Sequence, residues 1–317
     1  MDKNKRPLRP YLAVAGVTFA LFTTLALAYW LLAHDVIHLA VFLYLGLFTT
    51  AGILLYARLR PKRKNLGRRV AFFGVGLALF LGMGLFGRTN LQLEGFFFYL
   101  LGGVYVGTVT HYLIAKILGP ILLHRGWCGW GCWTMMVLDL LPFKSSPGRL
   151  PRKFGYLRYA HFAASLALVL LLVLVFHYTI QRQQWDIRGF YWVLGGNAFY
   201  YALAIPLAFA LKDNRAFCKY VCPITPFLKT ATLFSVLRIK GNPDLCTECG
   251  ACVKRCPMDI RIPDYTKAGQ RVLSTECVAC LTCIAVCPQG ALSATLGLDL
   301  GGKELLRELQ PPPPASP

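Results

Sequence analysis

The sequence predicts a mainly α protein, a polytopic bundle of about six transmembrane helices that ends in a small α+β domain. Three observations carry this expectation. The chain is 56% hydrophobic, far more than a small soluble domain carries. Its basic residues alternate from one connection to the next. Eight of its twelve cysteines form two copies of one spacing near the C-terminus.

Apolar stretches of about 20 residues are long enough to cross a bilayer. They run at 11–32, 36–57, 70–86, 96–118, 159–180 and 190–211. The third is short and glycine-rich (Gly74, Gly76, Gly82, Gly84), which suits close helix packing. The first is too long for the apolar core of a signal peptide and lacks a convincing cleavage site, so it reads as an anchor.

The formal charge is +20, and from Lys240 onward eight basic and eight acidic residues balance. The excess therefore lies in residues 1–239. Lys3, Lys5, Arg6 and Arg9 precede the first span. Arg58, Arg60, Lys62, Arg63, Lys64, Arg68 and Arg69 separate the second from the third. Arg125, Lys144, Arg149, Arg152, Lys153 and Arg158 separate the fourth from the fifth. The opposite connections carry only Arg88, Arg182 and Arg188. Such alternation is the positive-inside pattern for six spans with both termini in the cytoplasm, reinforced by anionic headgroups. The charge reads as topology, a multi-pass protein of the bacterial cytoplasmic (inner) membrane, and not as a nucleic-acid footprint.

The C-terminal cysteines read Cys246-x-x-Cys249-x-x-Cys252-x-x-x-Cys256-Pro257 and Cys277-x-x-Cys280-x-x-Cys283-x-x-x-Cys287-Pro288. Zinc sites pair two cysteines with two more across a longer gap, and disulfide frameworks need an oxidising compartment. Neither fits two such runs on the cytoplasmic side. This region resembles bacterial two-cluster ferredoxins, in which the fourth thiolate ligates the other cluster. The resemblance implies two [4Fe–4S] clusters. Cys246, Cys249, Cys252 and Cys287 would hold the first, and Cys277, Cys280, Cys283 and Cys256 the second. The expected organisation is a transmembrane domain at 1–239 and a ferredoxin-like domain at 240–298, introduced by the turn Gly241-Asn242-Pro243. A tail at 299–317 would hold a short helix at 303–310 before the proline run at 311–314. Ligation should supply much of the small domain's folding free energy.

A second repeat lies in the membrane region. Arg125-Gly-Trp127-Cys128-Gly-Trp130-Gly-Cys132-Trp133 follows the fourth span, and Arg215-Ala-Phe217-Cys218-Lys-Tyr220-Val-Cys222-Pro223 follows the sixth. Cysteines four residues apart share one face of a helix. Cys128, Cys132, Cys218 and Cys222 could thus hold a third cubane or another metal, act as redox dithiols, or simply pack as buried apolar residues.

With both repeats in place, the chain resembles the membrane-bound polyferredoxins of the NapH, NosR and FixG/CcoG group, over about residues 70–298. The resemblance is strong at the ferredoxin cysteines, good at Cys218, Cys222 and Pro223, and weaker at Cys128 and Cys132, where Trp133 stands in place of proline. The flavin-binding region of NosR and the C-terminal extension of the FixG branch are missing, and six spans exceed the number expected of NapH. The resemblance implies electron transfer between the quinol pool, or a membrane redox partner, and another redox protein, as the electron-transfer subunit of a quinol-dehydrogenase-type oxidoreductase. In the FixG branch it implies copper reduction during assembly of a respiratory enzyme. A redox-sensing regulatory role is a third reading.

Quinol chemistry needs proton acceptors near a membrane surface. His34, Asp35 and His38, His177 and Asp186, and Glu94 are candidates, since histidine titrates near neutrality. His111 and His161 could ligate a haem if they faced each other, although interfacial histidines are usually just solvated. No acid–base or nucleophilic constellation is present, so no catalytic residue is assigned. The expected partners are the lipid bilayer, redox proteins and quinol.

Overall fold

The computed structural model describes residues 9–34, 36–60, 63–105, 107–143, 145–178, 180 and 187–309. Lys3, Lys5, Arg6, Asp35, Lys62, Lys144, Arg182, Asp186 and the proline run 311–314 lie outside the described residues, as does the side chain of His38.

Helices dominate: α1 (Arg9–Ala33), α2 (Val36–Arg58), α3 (Asn65–Phe86), α4 (Leu93–Leu101), α5 (Thr108–Leu123), α6 (Gly126–Trp130), α7 (Trp133–Leu138), α8 (Leu157–Leu174), α9 (Ile187–Ala210), α10 (Ala216–Tyr220) and α11 (Thr225–Thr232). The C-terminal region adds β1 (Leu237–Gly241), α12 (Ala251–Lys254), α13 (Ile262–Lys267), α14 (Thr282–Val286) and β2 (Leu292–Leu296). By length and composition, α1, α2, α3, α8 and α9 can cross a membrane.

The fourth apolar stretch, 96–118, is not one helix. It breaks between α4 and α5, where Gly103 and Gly107 take φ of 69° and 87°. Side-chain-bearing residues rarely adopt that conformation. Within lipid, irregular backbone is tolerated only where protein covers it or it lines a cavity. The fifth stretch also ends early, at Leu174 and not Ile180.

Two compact units divide the chain. The first comprises Met1–Ala115, Gly126–Leu140 and Val169–Tyr201, and the second Lys116–Arg125, Leu141–Leu168 and Ala202–Pro317. In the first unit, α2 and α3 approach closely through glycine. A Cβ added to Gly67 would lie 2.4 Å from the Tyr56 nitrogen and 2.6 Å from the Gly52 oxygen, both backbone atoms that cannot swing aside. Leu45, Val75, Leu79, Leu91 and Trp133 form the buried cluster beside that seam. Gly67→Leu should force the helices apart at a cost of about 1–3 kcal/mol. A lower thermal midpoint of the detergent-solubilised protein checks this, and an unchanged midpoint would disprove the seam.

The second unit contains the two-stranded antiparallel sheet, in which Leu237 pairs with Leu296 and Gly241 with Leu292. The short helix expected at 303–310 is absent there. Residues 305–309 instead run as an extended strap. Arg307 N donates to Asp259 O (2.7 Å), Arg261 N to Leu305 O (2.8 Å) and Leu309 N to Arg149 O (2.7 Å). Backbone groups held by these partners cannot close helical turns.

Candidate iron–sulfur centre

Sheet register positions the cysteine motifs. Gly241 enters the first motif and Leu292 leaves the second, and the two residues are paired. Cys246 and Cys287 lie equally far along the chain from that pair, so the end of one motif is delivered to the start of the other. Both motif loops then follow one backbone course. Glu248 (φ 54°) and Gly250 (φ 70°) in the first correspond in position to Ala279 (φ 47°) and Leu281 (φ 58°) in the second. Left-handed conformations at a leucine and an alanine cost of order 1 kcal/mol or more each. They persist because the loop must curl with its sulfurs turned inward.

Two hollows result, each with about 380 Å³ of space, open solvent included. Cys246, Cys249, Cys252 and Cys287 ring the first. Cys256, Cys277, Cys280 and Cys283 ring the second, against Ile239, Met258, Ile260 and Val272. Cys249 is exposed, whereas Cys256, Cys280 and Cys283 are buried. No three His, Cys, Asp or Glu side chains converge on a single-ion site among the described residues. A cubane asks for something different, because its four thiolates bind four separate irons. The two rings fit it.

Burial at these sulfurs disfavours the free thiolate. Burial, with Cys280 nearby, pushes the Cys256 thiol up to about 12. Burial likewise raises Cys283 well above the ordinary thiol range. Iron must displace a proton from each, which ties cluster uptake to pH. Ile260 N donates to Cys256 Sγ at 3.4 Å, the kind of contact that tunes an iron–sulfur potential.

Immediately before Cys277 stands Glu276, 1% exposed, and it gathers four cations. Arg125 Nη1 lies 3.1 Å and Arg149 Nη2 3.0 Å from its Oε2. Arg158 Nη2 lies 2.9 Å and Lys229 Nζ 2.8 Å from its Oε1. Burial alone would raise this carboxyl, but Arg149, Arg125, Arg158 and Lys229 outweigh it and hold the group well below the usual carboxylate range. His124 donates from Nδ1 to Cys277 O at 2.7 Å. Burial and the charge of Arg238 push its pKa down to about 3, so the imidazole is neutral.

A second buried knot forms around Lys219, which is fully enclosed. Its Nζ bonds Asp213 Oδ2 (2.5 Å), Ser146 Oγ (2.9 Å) and Asp259 Oδ2. Arg307 Nη2 reaches Asp259 Oδ1 at 2.9 Å. Sequence reasoning missed both knots and assigned Arg125, Arg149 and Arg158 to membrane topology. The available signal was scarcity: with 14 acidic residues against 34 basic ones, a buried acid has many cations to draw on.

The membrane-region cysteines do not sit on continuous helices. Cys128 lies in α6, which stops at Trp130, and Cys132 is extended (φ −73°, ψ 120°) just before α7. Cys218 lies in α10, which stops at Tyr220, with Cys222 beyond the turn. The shared-face geometry expected of four-residue spacing is thus broken at Gly131 and at Val221, in the same way in both repeats. Cys128 and Cys218 are buried, Cys132 and Cys222 half-buried. Cys128 and Cys132 belong to the first unit, Cys218 and Cys222 to the second. The histidines read as possible haem ligands are also divided. His111 stacks edge-on against Trp127 (5.1 Å between centroids) in the first unit, and His161 donates from Nδ1 to Val221 O (2.8 Å) in the second. His34 packs edge-on against Trp30, and Glu94 is buried at the start of α4.

Residues 238–288, the segment that carries both cysteine motifs, match the model of a 4Fe-4S dicluster domain. Over 211 residues the chain is 26% identical to the ferredoxin-type protein NapH of Haemophilus influenzae, covering 62% of this chain and 70% of that one. The chain is thus similar to the NapH-type ferredoxin proteins. The chain is also 26% identical over 206 residues to an uncharacterized protein of Methanocaldococcus jannaschii (62% of this chain, 74% of that one). It is 30% identical over 105 residues to YccM, a putative electron transport protein of Escherichia coli, spanning 33% of this chain and 28% of YccM. No solved structure matches. Five helices among the described residues are long and apolar enough to cross a membrane, which with the NapH similarity marks a membrane protein, and the dicluster segment together with the electron-transport relatives supports an iron–sulfur electron-transfer role.

Proposed function

We propose that this polyferredoxin is a multi-pass protein of the cytoplasmic membrane with both termini in the cytoplasm. It relays single electrons between quinol, or a membrane redox partner, and another redox protein. Cys246, Cys249, Cys252 and Cys287 hold one [4Fe–4S] cluster, and Cys277, Cys280, Cys283 and Cys256 hold the other. The observation that carries this reading is the crossed make-up of the two hollows, each taking three cysteines from one motif and the fourth from the other.

When bound, such clusters supply one-electron steps at potentials set by charge, hydrogen bonds and burial. The chain's own part is to orient the thiolates, brace the loops through Glu276 and Asp259, and keep water from the second hollow with Ile239, Met258, Ile260 and Val272. Cys128, Cys132, Cys218 and Cys222 stay outside both ligand sets and remain available for dithiol or metal chemistry. The quinol step is tested with the full chain in liposomes under anaerobic conditions. A reduced quinone should bleach the iron–sulfur absorbance. If dithionite bleaches it and quinol does not, the quinol reading falls and a protein donor takes its place.

A further inference from the structure

The two hollows differ in the charge built around them. Beside the first, Glu248 pairs with Lys267 at 2.7 Å, but these side chains are 50% and 59% exposed. Arg261, exposed, pairs with the half-buried Asp264. Water and salt screen charges of this kind. Beside the second, the charges are buried. Arg125, Arg149 and Arg158 have side chains 1%, 7% and 6% exposed, and Lys229 is 20% exposed. Facing them are Glu276, 1% exposed, and Glu304, 28% exposed, the latter 3.4 Å from Lys229. Among the described residues, four cations against two carboxylates leave the cage positive by two. Asp259, three residues past Cys256, does not offset that surplus, since Lys219 and Arg307 already hold it.

The cage also grips the loop that carries Cys277 and the turn after Cys256. Arg125 Nη1 donates to Thr275 O (3.4 Å), Arg149 Nε donates to Met258 O (3.3 Å), and Glu304 accepts from Thr275 N (3.0 Å). Its charge is fixed in place by the same contacts that shape the ligand loop. Reduction adds one negative charge to an iron–sulfur core, so fixed positive charge favours the reduced form. The apolar walls of the second hollow oppose this, because burial disfavours added charge. Poorly screened ions in a low-dielectric setting act more strongly than the exposed pairs beside the first hollow.

We infer that the cationic cage centred on Glu276 sets the second cluster above the first in reduction potential, so that one electron entering the domain comes to rest on the second cluster. Glu276 and its four partners are positioning residues that also tune potential. This rests on the two-cluster reading above. Electrons would enter or leave through the exposed first cluster, beside Cys249, and pause at the buried second.

The test is an EPR-monitored redox titration of the full-length protein with dithionite, in the wild type and three variants. Cys249→Ala removes a ligand of the first hollow, so the wave that survives belongs to the second cluster. That wave should be the higher of the two wild-type waves. Lys229→Gln, at the most exposed of the four cations, should lower it and leave the other wave in place. Glu276→Gln should raise it. Opposite shifts from two changes in one knot are not what loosened structure produces. Should Glu276→Gln fail to fold, Lys229→Gln decides alone. The inference is overturned if the surviving wave is the lower one, if neither variant moves it, or if both waves move together. An iron-free protein would sink the two-cluster reading itself, an outcome distinct from two clusters with unmoved potentials.

Discussion

Cys287→Ala is expected to leave the same surviving iron–sulfur signal as Cys249→Ala, although the two residues belong to different motifs. Both cysteines ring the first hollow, so losing either strips the same cluster. Cys256→Ala should match Cys280→Ala for the same reason. Each variant should keep about 4 irons per chain, the content of one cubane, and should also melt earlier, because metal binding is part of the folding free energy. If Cys287→Ala instead matched Cys280→Ala, each motif would be closing its own cluster and the crossed assignment would be wrong.

The second large effect is expected at Lys219. Lys219→Met leaves the carboxylates of Asp213 and Asp259 facing each other in a buried site, with Arg307, the Ser146 hydroxyl and the Arg215 amide to compensate among the described residues. Breaking a buried ion pair from one side costs about 3–5 kcal/mol. Neutralising the knot as a whole, with Lys219→Met, Asp213→Asn and Asp259→Asn together, should recover much of that loss. Thermal unfolding followed by circular dichroism reads both. Because Asp259 is held in the turn after Cys256, the single variant should also release iron faster on exposure to a chelator. A single variant as stable as the wild type would show that the knot carries little of the unit's stability.

Much of this architecture is legible in the residues, and the reasons for the gaps are physical. Spans 1, 2 and 6 could be read almost to the residue, since an uninterrupted apolar run leaves the helix little choice. The break inside 96–118 was visible in Gly102, Gly103 and Gly107, but overall apolarity hid it, since a span count responds to length and not to backbone conformation. The segment at 303–310 looked helical because Glu304, Leu305, Leu306 and Glu308 all tolerate helix. Long-range hydrogen bonds to Asp259, Arg261 and Arg149 decide otherwise, and no local pattern encodes them. Likewise, Cys128 with Cys132 and Cys218 with Cys222 carry a helical spacing that the turns at Gly131 and Val221 interrupt.

The cysteines that ring the hollows stand out in the sequence, because their spacing is a local property that chain order preserves. The charges around them were not. Arg125, Arg149 and Arg158 satisfy the positive-inside pattern and also meet at Glu276, and only three-dimensional placement separates the two roles. A basic chain with few acids can serve both purposes, because the cations clustered in the connections between apolar stretches also lie beside the cysteine hollows.

The most direct test of the central claim is the iron and acid-labile sulfide content of the full-length protein, purified from membranes without oxygen. Two crossed cubanes predict about 8 of each per chain. A value near 4, or a chain free of iron, would contradict it, whereas a value near 12 would add a third cubane to the two.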